Sequence, residues 1–512
     1  MPLSTALLDD ILAWLRTTAP AAQLSSDSRS IEPGDVFFAF AGDAADGRKY
    51  ISNAVERGAR AVIHDDSDGF SWDAALEVPH RGVTGLKHAA GQIANAYYGK
   101  PDAAMFTIGV TGTNGKTSCS QWLASALSRQ GDTAAVIGTL GVGLFKCGKP
   151  GEFNTTGYTT PDAVLLQRKL AELGAAGATA MAIEASSIGL DQGRLNGMHF
   201  DLALFTNFTR DHLDYHGDMA AYEVAKTMLF DWPGLRHAVV NLDDELGLRL
   251  IERLKQKAAQ VSITGYTLTG KTRDGIDVLS ASDIRTSHSG TTFHIESAHG
   301  IAQVKTQLVG QFNVSNVLGI AGVLLAKGLS WRAVIDAIEA LTAVPGRMQQ
   351  LGGHDAPLVV IDYAHTPDAL EKTLATLRQV AQQRNGQMWC VFGCGGDRDP
   401  GKRPQMGAVA ASSDHVIVTS DNPRGESAAA IIEQIVEGMK IKTSMLSEPQ
   451  VIEDRAAAIL WAIKHAARQD VVLLAGKGHE TYQEINGRKL PFLDADHGAL
   501  ALAARVTMKG IS

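Results

Sequence analysis

Short apolar runs punctuate the chain, and each ends in a turn rich in glycine or charge. Residues 36–40 and 61–64 read as strands, with a helix over 50–57 between them. Residues 105–110, Met-Phe-Thr-Ile-Gly-Val, read as a buried strand. Just after it, Trp122, Leu123, Ala126 and Leu127 recur at helical spacing, which predicts a helix over 118–129. Further strands are predicted over 181–187 and 204–208, then a helix over 222–230 with Lys226 among apolar neighbours. Thr160 is placed to cap a helix whose first turn suits Pro161. Residues 311–316 lead into a helix rich in Ala, Leu and Gly. Four apolar strands, 358–362, 388–392, 416–419 and 471–474, alternate with helical stretches. Strands alternating with helices imply a parallel sheet and an α/β fold class. In such sheets ligands bind beyond the carboxyl ends of the strands, so the turns there carry the chemistry.

The turn after strand 105–110 is the most informative: Val110-Thr-Gly-Thr-Asn-Gly-Lys-Thr-Ser118. A glycine-rich loop at a helix N-terminus offers N–H groups and the positive end of the helix dipole to a phosphate. Lys116 adds a point charge for the outer phosphates, and Thr117 adds a hydroxyl for Mg²⁺. The strict Walker pattern wants Gly at position 110, where this chain has Val, so Gly112 and Gly115 make the turn. Strand 181–187 ends in Glu184, Ser186 and Ser187, and an acid at that point of the same sheet is well placed for Mg²⁺. Strand 204–208 runs into Thr209-Arg-Asp-His-Leu-Asp-Tyr-His-Gly217, which sets two His and two Asp on one loop. Lys226 has two readings. It is either a snorkelling lysine with its head in water, or a buried neutral amine able to add CO₂ and become a carbamate. Asn313 and Asn316 either contact a nucleotide or cap their helix.

Three strand ends in the last third, 393–399, 420–425 and 475–480, carry both glycine and charge. They predict a pocket with Arg398, Asp421, Asn422, Arg424, His479 and Glu480 around it. Mixed charges suit a zwitterion such as an amino acid, and an Arg there can clamp a carboxylate with two hydrogen bonds. The loops 26–29 and 42–48 read as ordinary turns when taken alone.

Bulk properties narrow this picture. A chain of 512 residues is too long for one core, and about three domains are expected. Hydrophobic residues at 45% and charged ones at 20% are ordinary for a globular protein. A net charge of −8 argues against a general nucleic-acid binder. Cys119, Cys147, Cys390 and Cys394 give no disulfide framework, and Cys390 and Cys394 lack a second pair for zinc. The first ten residues lack a basic start and include two acids, unlike a signal peptide. No uninterrupted apolar run reaches the length of a membrane span. A cytoplasmic protein with reduced thiols is expected.

Six segments occur in the order found in Mur ligases: Thr111-Gly-Thr-Asn-Gly-Lys-Thr117, Glu184-Ala-Ser-Ser187, Thr206-Asn-Phe-Thr-Arg-Asp-His-Leu-Asp214, Pro345-Gly-Arg-Met348, Asp362-Tyr-Ala-His365 and Asp421-Asn-Pro-Arg424. The chain resembles that family over nearly its whole length. The resemblance implies three domains: residues 1–101 for a UDP-sugar, a central P-loop-type parallel-sheet ATPase domain over 102–343, and a Rossmann-like amino-acid domain over 344–512. It also implies the reaction. ATP phosphorylates the D-glutamyl carboxylate of UDP-N-acetylmuramoyl-L-alanyl-D-glutamate, and an amine of meso-diaminopimelate attacks the acyl phosphate, in peptidoglycan precursor synthesis. Asp421-Asn-Pro-Arg424 is the family's mark for meso-diaminopimelate over L-lysine. A sister ligase using lysine is the near alternative, and a P-loop kinase or NTPase a more distant one.

Residue by residue, the resemblance implies that Ser26, Ser28, Asp43, Ala44 and Ala45 hold the uridine end. Tyr158, Thr159, Thr160, Ser186, Gln192 and Arg194 would hold the sugar-peptide, with Tyr158 standing where some relatives have Asn. Gly112, Thr113, Asn114, Gly115, Lys116, Thr117, Ser118, Asn313, Arg347 and Asp362 would contact ATP. Lys116, Glu184, His212, Lys226 and His365 would carry catalysis. Thr117 and Glu184 would hold one Mg²⁺, and Glu184, His212 and carbamylated Lys226 a second. Arg398, Asp421, Asn422, Pro423, Arg424, Gly476 and Glu480 would bind diaminopimelate. Lysine lacks the distal carboxylate and would leave Arg424 unmatched, a discrimination of about 10⁴ or more. The expected partners are these small molecules, with no nucleic acid, no membrane and a monomeric chain.

Overall fold

Three sheets, each on its own apolar core, organise the chain in a computed structural model that describes residues 3–43, 45–256, 261–287, 289–440 and 448–509. The first sheet is all parallel, in the order Leu24–Ser25, Val36–Ala39, Ala61–His64, His80–Gly82. Val36 and Phe38 pack with Ile11 and Leu15 of helix Thr5–Thr18 and with Ile93 of helix Leu86–Tyr97. Phe37 and Ala39 point the other way, toward Ile51 and Ala54. Alternate residues thus bury both faces, as a parallel sheet requires.

The second sheet has 11 strands. Its centre is Phe106–Thr111, flanked in parallel by Leu202–Phe205 and Ala180–Glu184. Ala134–Gly138 extends the parallel run on one side, and His237–Asn241, Ser262–Thr267 and Asp277–Ser287 extend it on the other. Both edges then turn antiparallel, through Gly141–Lys146 and Lys149–Pro150 at one end and Gly290–Ser297 and Gly300–Thr306 at the other. Helices Lys116–Arg129 and Gln311–Ala326 share one core with Ile108 and Val110.

The third sheet runs Gln349–Gly352, Leu358–Asp362, Val471–Ala475, Met388–Phe392, His415–Val418, Gln450–Val451. All its pairings are parallel except the first. Helices cover both of its faces, with Val360 in one core and Val359 and Ile361 in the other. The architecture is therefore three α/β domains, the last of them Rossmann-like.

Several boundaries move from the expected ones, for local reasons. The helix after the phosphate loop starts at Lys116 because Gly115, in the left-handed region, ends the turn. The strand expected over 181–187 stops at Glu184, and Ser186 caps a short helix, Ser187–Asp191, by accepting from Gly189 N. Thr160 is not a cap. Asp162 caps helix Ala163–Ala175 through Val164 N and Leu165 N, while Thr160 turns inward to donate to the Glu184 carbonyl at 2.8 Å. The four cysteines are free, three of them buried. Among the described residues, no helix is long and apolar enough to cross a membrane.

Candidate active site

The carboxyl ends of the second and third sheets face each other across a cavity of about 1730 Å³. It collects the phosphate loop, Thr159, Thr160, Glu184, His212, Arg347, Asp362, His365, Arg398, Asp421, Asn422, Arg424, Gly476 and Glu480. Ser26, Ser28, Asp43, Ala45, Gly112, Gln192, Lys226 and Pro423 do not line it, and Ala44 lies outside the described residues.

Two glycines shape the phosphate loop. Gly112 has φ +149°, and a Cβ there would lie 1.9 Å from Thr206 Oγ1. Gly115 has φ +89°, and a Cβ would lie 2.8 Å from Asn316 Oδ1. Asn316 therefore packs on the loop instead of capping its helix. The helix Gln311–Ala326 has Gly310 as its N-cap, and Asn313 Nδ2 donates back to Val309 O at 2.9 Å. Asn114 N donates to Asn207 Oδ1 at 2.9 Å, which ties the loop to the next strand end. Lys116 Nζ donates to the carbonyls of Gly112 and Thr113 at 2.8 and 2.9 Å, so the ammonium lies over its own loop. Burial pushes its pKa down, opposed by Glu184 and Asp211.

Glu184 is held from three directions. Thr117 Oγ1 donates to Oε2 at 3.0 Å, Thr139 N to Oε1 at 2.8 Å, and Thr139 Oγ1 to Oε2 at 3.0 Å. Two histidines line the same cavity. Burial pushes His212 down to about 4 and lowers His365, leaving both rings neutral. His365 Nδ1–H donates to Tyr363 O at 2.7 Å, which leaves the Nε2 lone pair toward Asp211 Oδ2, 3.8 Å away. Burial raises Asp211, but His212, His365 and Lys402 outweigh it and bring it to about 2. Asp362 goes the other way. Burial lifts it to about 6 against the pull of Arg347, and its Oδ2 accepts from Met348 N at 2.8 Å.

Lys226 is 1% exposed, which excludes a snorkelling side chain. Its Nζ lies over the Tyr222 ring at 4.6 Å. Burial, with help from Lys116, holds its pKa well below the usual lysine value. No group of three or more His, Cys, Asp and Glu converges for a metal among the described residues. The oxygen of Thr117, the carboxylate of Glu184 and the neutral ring of His212 are a partial donor set; an anionic oxygen on Lys226 would add to it.

The expected sugar-peptide residues form a second network where the first domain meets the second. Ser26 Oγ donates to Asp162 Oδ1 at 2.7 Å. Asp43 accepts from Lys87 Nζ at 2.5 Å, from Tyr215 OH at 3.3 Å and from Gln192 Nε2. Arg194 donates to Gln192 Oε1 and Thr160 O, both at 2.8 Å, and its guanidinium lies 4.6 Å from the Tyr158 ring centre. Tyr158 thus makes a stacking contact. Thr159 Oγ1 lies 3.1 Å from Thr139 Oγ1, which joins this network to Glu184.

The third-sheet residues meet as expected. Asn422 Nδ2 donates to Glu480 Oε2 at 2.7 Å. Arg424 has φ +51°, and its Nη1 donates to Gly396 O at 2.7 Å. Arg398 Nη1 lies 4.0 Å from Asp214 Oδ2 and Arg210 Nη2 lies 3.2 Å from Asp399 Oδ2, two pairs that cross between domains. Burial pushes His479 down to about 3, and its Nδ1 is buried without a partner among the described residues. Sequence reasoning missed Thr139, Asp211 and Lys477. Asp211 and Lys477 sit inside turns already singled out, whereas nothing in the sequence near Thr139 marks it.

Comparison with known proteins gives a consistent picture. The Mur ligase middle domain matches residues 110–324, the Mur ligase glutamate ligase domain matches 346–478, and the Mur ligase family catalytic domain matches 21–98. The UDP-N-acetylmuramoyl-L-alanyl-D-glutamate--2,6-diaminopimelate ligase of Janthinobacterium sp. (strain Marseille) is 68% identical over 510 residues, which is 100% of this chain and 99% of that protein. The ligase of the same name from Ralstonia nicotianae is 50% identical, over 98% of this chain and 97% of that one. A solved structure of a ligase with this name shares 36% identity with a TM-score of 0.65, over 96% of this chain and 99% of that chain.

Proposed function

The chain belongs to the Mur ligase family, and from that premise we propose that it adds meso-2,6-diaminopimelate to UDP-N-acetylmuramoyl-L-alanyl-D-glutamate in peptidoglycan precursor synthesis. The reaction is an ADP-forming, ATP-dependent ligation. One observation carries the substrate reading: the phosphate loop and the strand ends around Asp421 and Arg424 open onto the same cavity. A kinase or a plain NTPase has no use for that second set of charges. Residues 1–101 are assigned to the UDP-sugar, 102–343 to ATP and 344–512 to the amino acid. The 4-, 11- and 6-stranded sheets, which fall in successive ranges, support this division.

Phosphoryl transfer needs positioning and charge neutralisation more than covalent help. Lys116, poised over Gly112 and Thr113, is suited to move onto the outer phosphates of ATP. Backbone N–H groups at the start of helix Lys116–Arg129 hold the inner ones. Thr117 and Glu184 fit one Mg²⁺, and Glu184, His212 and a carbamate on Lys226 fit a second; these ions supply neutralisation of phosphate charge. Arg347 then faces the phosphoryl group in flight to the D-glutamyl carboxylate, giving an acyl phosphate. His365, which is neutral and lines the cavity, would take a proton from the attacking amine of diaminopimelate at Nε2. Arg424 and Arg398 match the carboxylates of that amino acid, and Glu480 its ammonium. The enzyme is assigned to the cytoplasm as a monomer acting on small molecules.

Phosphate release from ATP tests this directly. With the UDP-sugar dipeptide present, turnover is expected with meso-diaminopimelate and not with L-lysine or with no amino acid. Turnover with lysine would keep the ligase and sink the substrate assignment. Turnover indifferent to the amino acid would sink the ligase.

A further inference from the structure

A buried cation stands behind the amino-acid pocket. Lys477 follows strand Val471–Ala475 and is 0% exposed. Its Nζ donates to Asn422 Oδ1 at 3.1 Å and to Glu480 Oε2 at 2.9 Å. Asn422 Oδ1 also accepts from Glu484 N at 2.9 Å, and Asn422 Nδ2 donates to Glu480 Oε2 at 2.7 Å. The Asn422 amide therefore has one orientation open to it. Flipped, its NH₂ would face an ammonium and a backbone N–H, two donors with no acceptor.

The same contacts define Glu480. Two donors occupy Oε2, and Oε1 accepts no hydrogen bond among the described residues. Glu480 and Asp421 both line the cavity. Lys477 and Asn422 hold Oε2 and leave Oε1 as the free acceptor among the described residues.

We propose that Lys477 is a positioning residue for the amino-acid substrate: it fixes the Asn422 amide and turns Glu480 so that Oε1 receives an ammonium group of that substrate. This rests on the reading of the pocket as the diaminopimelate site. Lys477 acts through Asn422 and Glu480 and leaves the phosphoryl step alone, because its partners all lie on the third-sheet side.

Steady-state kinetics on the full chain carrying Lys477→Met tests it. The Met side chain keeps length and removes the charge. The KM for meso-diaminopimelate is expected to rise about tenfold or more, since a charge-assisted pair is lost. The KM for ATP and for the UDP-sugar dipeptide, and the kcat at saturating amino acid, are expected to stay near wild type. Lys477→Gln keeps an N–H donor at the site and is expected to recover part of the loss. In a double variant, Lys477→Met with Glu480→Gln is expected to be no worse than Glu480→Gln alone, because both changes act on one contact. Multiplying losses would indicate a role in the fold and overturn the proposal. So would loss of a cooperative melt in both Lys477 variants. An unchanged amino-acid KM, with normal wild-type turnover, overturns the Lys477 role alone. Absence of diaminopimelate-dependent turnover in the wild type overturns the pocket reading and this inference with it.

Discussion

Arg347 Nη2 donates to the Thr117 hydroxyl at 3.1 Å, so a residue of the third domain touches the phosphate loop of the second. Its guanidinium lies 4.3 Å from the Tyr363 ring centre, and its Nη1 is buried without a partner among the described residues. A planar, stacked guanidinium with a spare donor beside a phosphate site is set to meet charge that develops during transfer. Arg347→Lys keeps the charge and loses the fork and the stacking. It is expected to lower kcat by about 10²-fold or more, with little change in melting temperature. Phosphate release and a thermal melt on the same sample check this, and a kcat near wild type would remove Arg347 from the reaction.

His199 braces the second domain where the first meets it, through Asp102, which accepts from Asn95 of the first domain. Its Nδ1 and Nε2 each lie 3.2 Å from a carboxylate oxygen, of Asp102 and Asp201 respectively. Asp102 Oδ1 also accepts from Asn95 of helix Leu86–Tyr97, and Asp201 Oδ1 pairs with Arg236. Hydrogen bonds to Asp102 and Asp201, partly offset by burial, raise His199 from 6.5 to about 9. The folded state holds this proton more tightly than the unfolded chain does. The stabilisation is therefore complete below pH 6.5 and is lost as pH rises through about 9. The gap in melting temperature between wild type and His199→Gln is expected to close over that window. A gap that does not vary with pH would mean the imidazolium contributes nothing to the junction.

The parts of the site that were legible in sequence share one property. Gly115, Lys116, Glu184 and Asp421 each sit where an apolar strand runs into a polar turn, and such a junction is a local signal. Thr139 acts on Glu184, 45 positions away, and Lys477 reaches Asn422, 55 positions away, so no short window of sequence contains those two contacts, although Lys477 also meets Glu480 three positions on. Strand Asp277–Ser287 has a ragged mixture of exposed and buried positions, because it borders an antiparallel edge. Its pattern never reaches the continuous apolar run of a central parallel strand. Thr160 and Asp162 are both capping residues by type, and only the contact of Thr160 with Glu184 and Ser186 decides between them. The family resemblance named Arg347 as a nucleotide contact; its bridge across two domains needed coordinates.

Lys226 is expected to carry a carbamate. Addition of CO₂ forms an N–C bond and releases a proton, and it requires a neutral amine. Burial favours one by holding the pKa well below the usual lysine value. In ¹³C-bicarbonate, the wild type is expected to show a carbamate carbonyl resonance that Lys226→Ala lacks. That variant is expected to lose about 100-fold in kcat, in line with removing a group that orients a metal site. A short carboxylate such as acetate should restore part of it by filling the vacated space. Acid should reduce wild-type activity as protonation of the amine drives CO₂ off. A wild type without the ¹³C signal would leave Lys226 as a buried amine and nothing more.

Arg424 is expected to decide which amino acid is accepted. It stands in the left-handed region at φ +51°, held there because its N donates to Glu484 O at 3.0 Å and its O accepts from Asn486 N at 2.7 Å. A bulky residue in that conformation is uncommon and marks a site where side-chain direction matters. Its Nη1 is satisfied by Gly396 O, and its Nε lies 3.7 Å from Glu484 Oε2, which leaves Nη2 to reach a ligand. The distal carboxylate of meso-diaminopimelate supplies a partner that L-lysine cannot. Arg424→Ala is expected to lower kcat/KM for diaminopimelate by about 10³-fold, the usual cost of breaking a hydrogen-bonded charge pair. For lysine, kcat/KM should hold steady or rise, since no guanidinium is then left unmatched. Arg424→Lys should recover only part of the preference, because a point charge cannot reproduce the fork. Competition between the two amino acids in one assay reads the ratio directly. If Arg424→Ala keeps the wild-type preference for diaminopimelate, the discrimination lies elsewhere in the pocket, and Arg398 becomes the next residue to change.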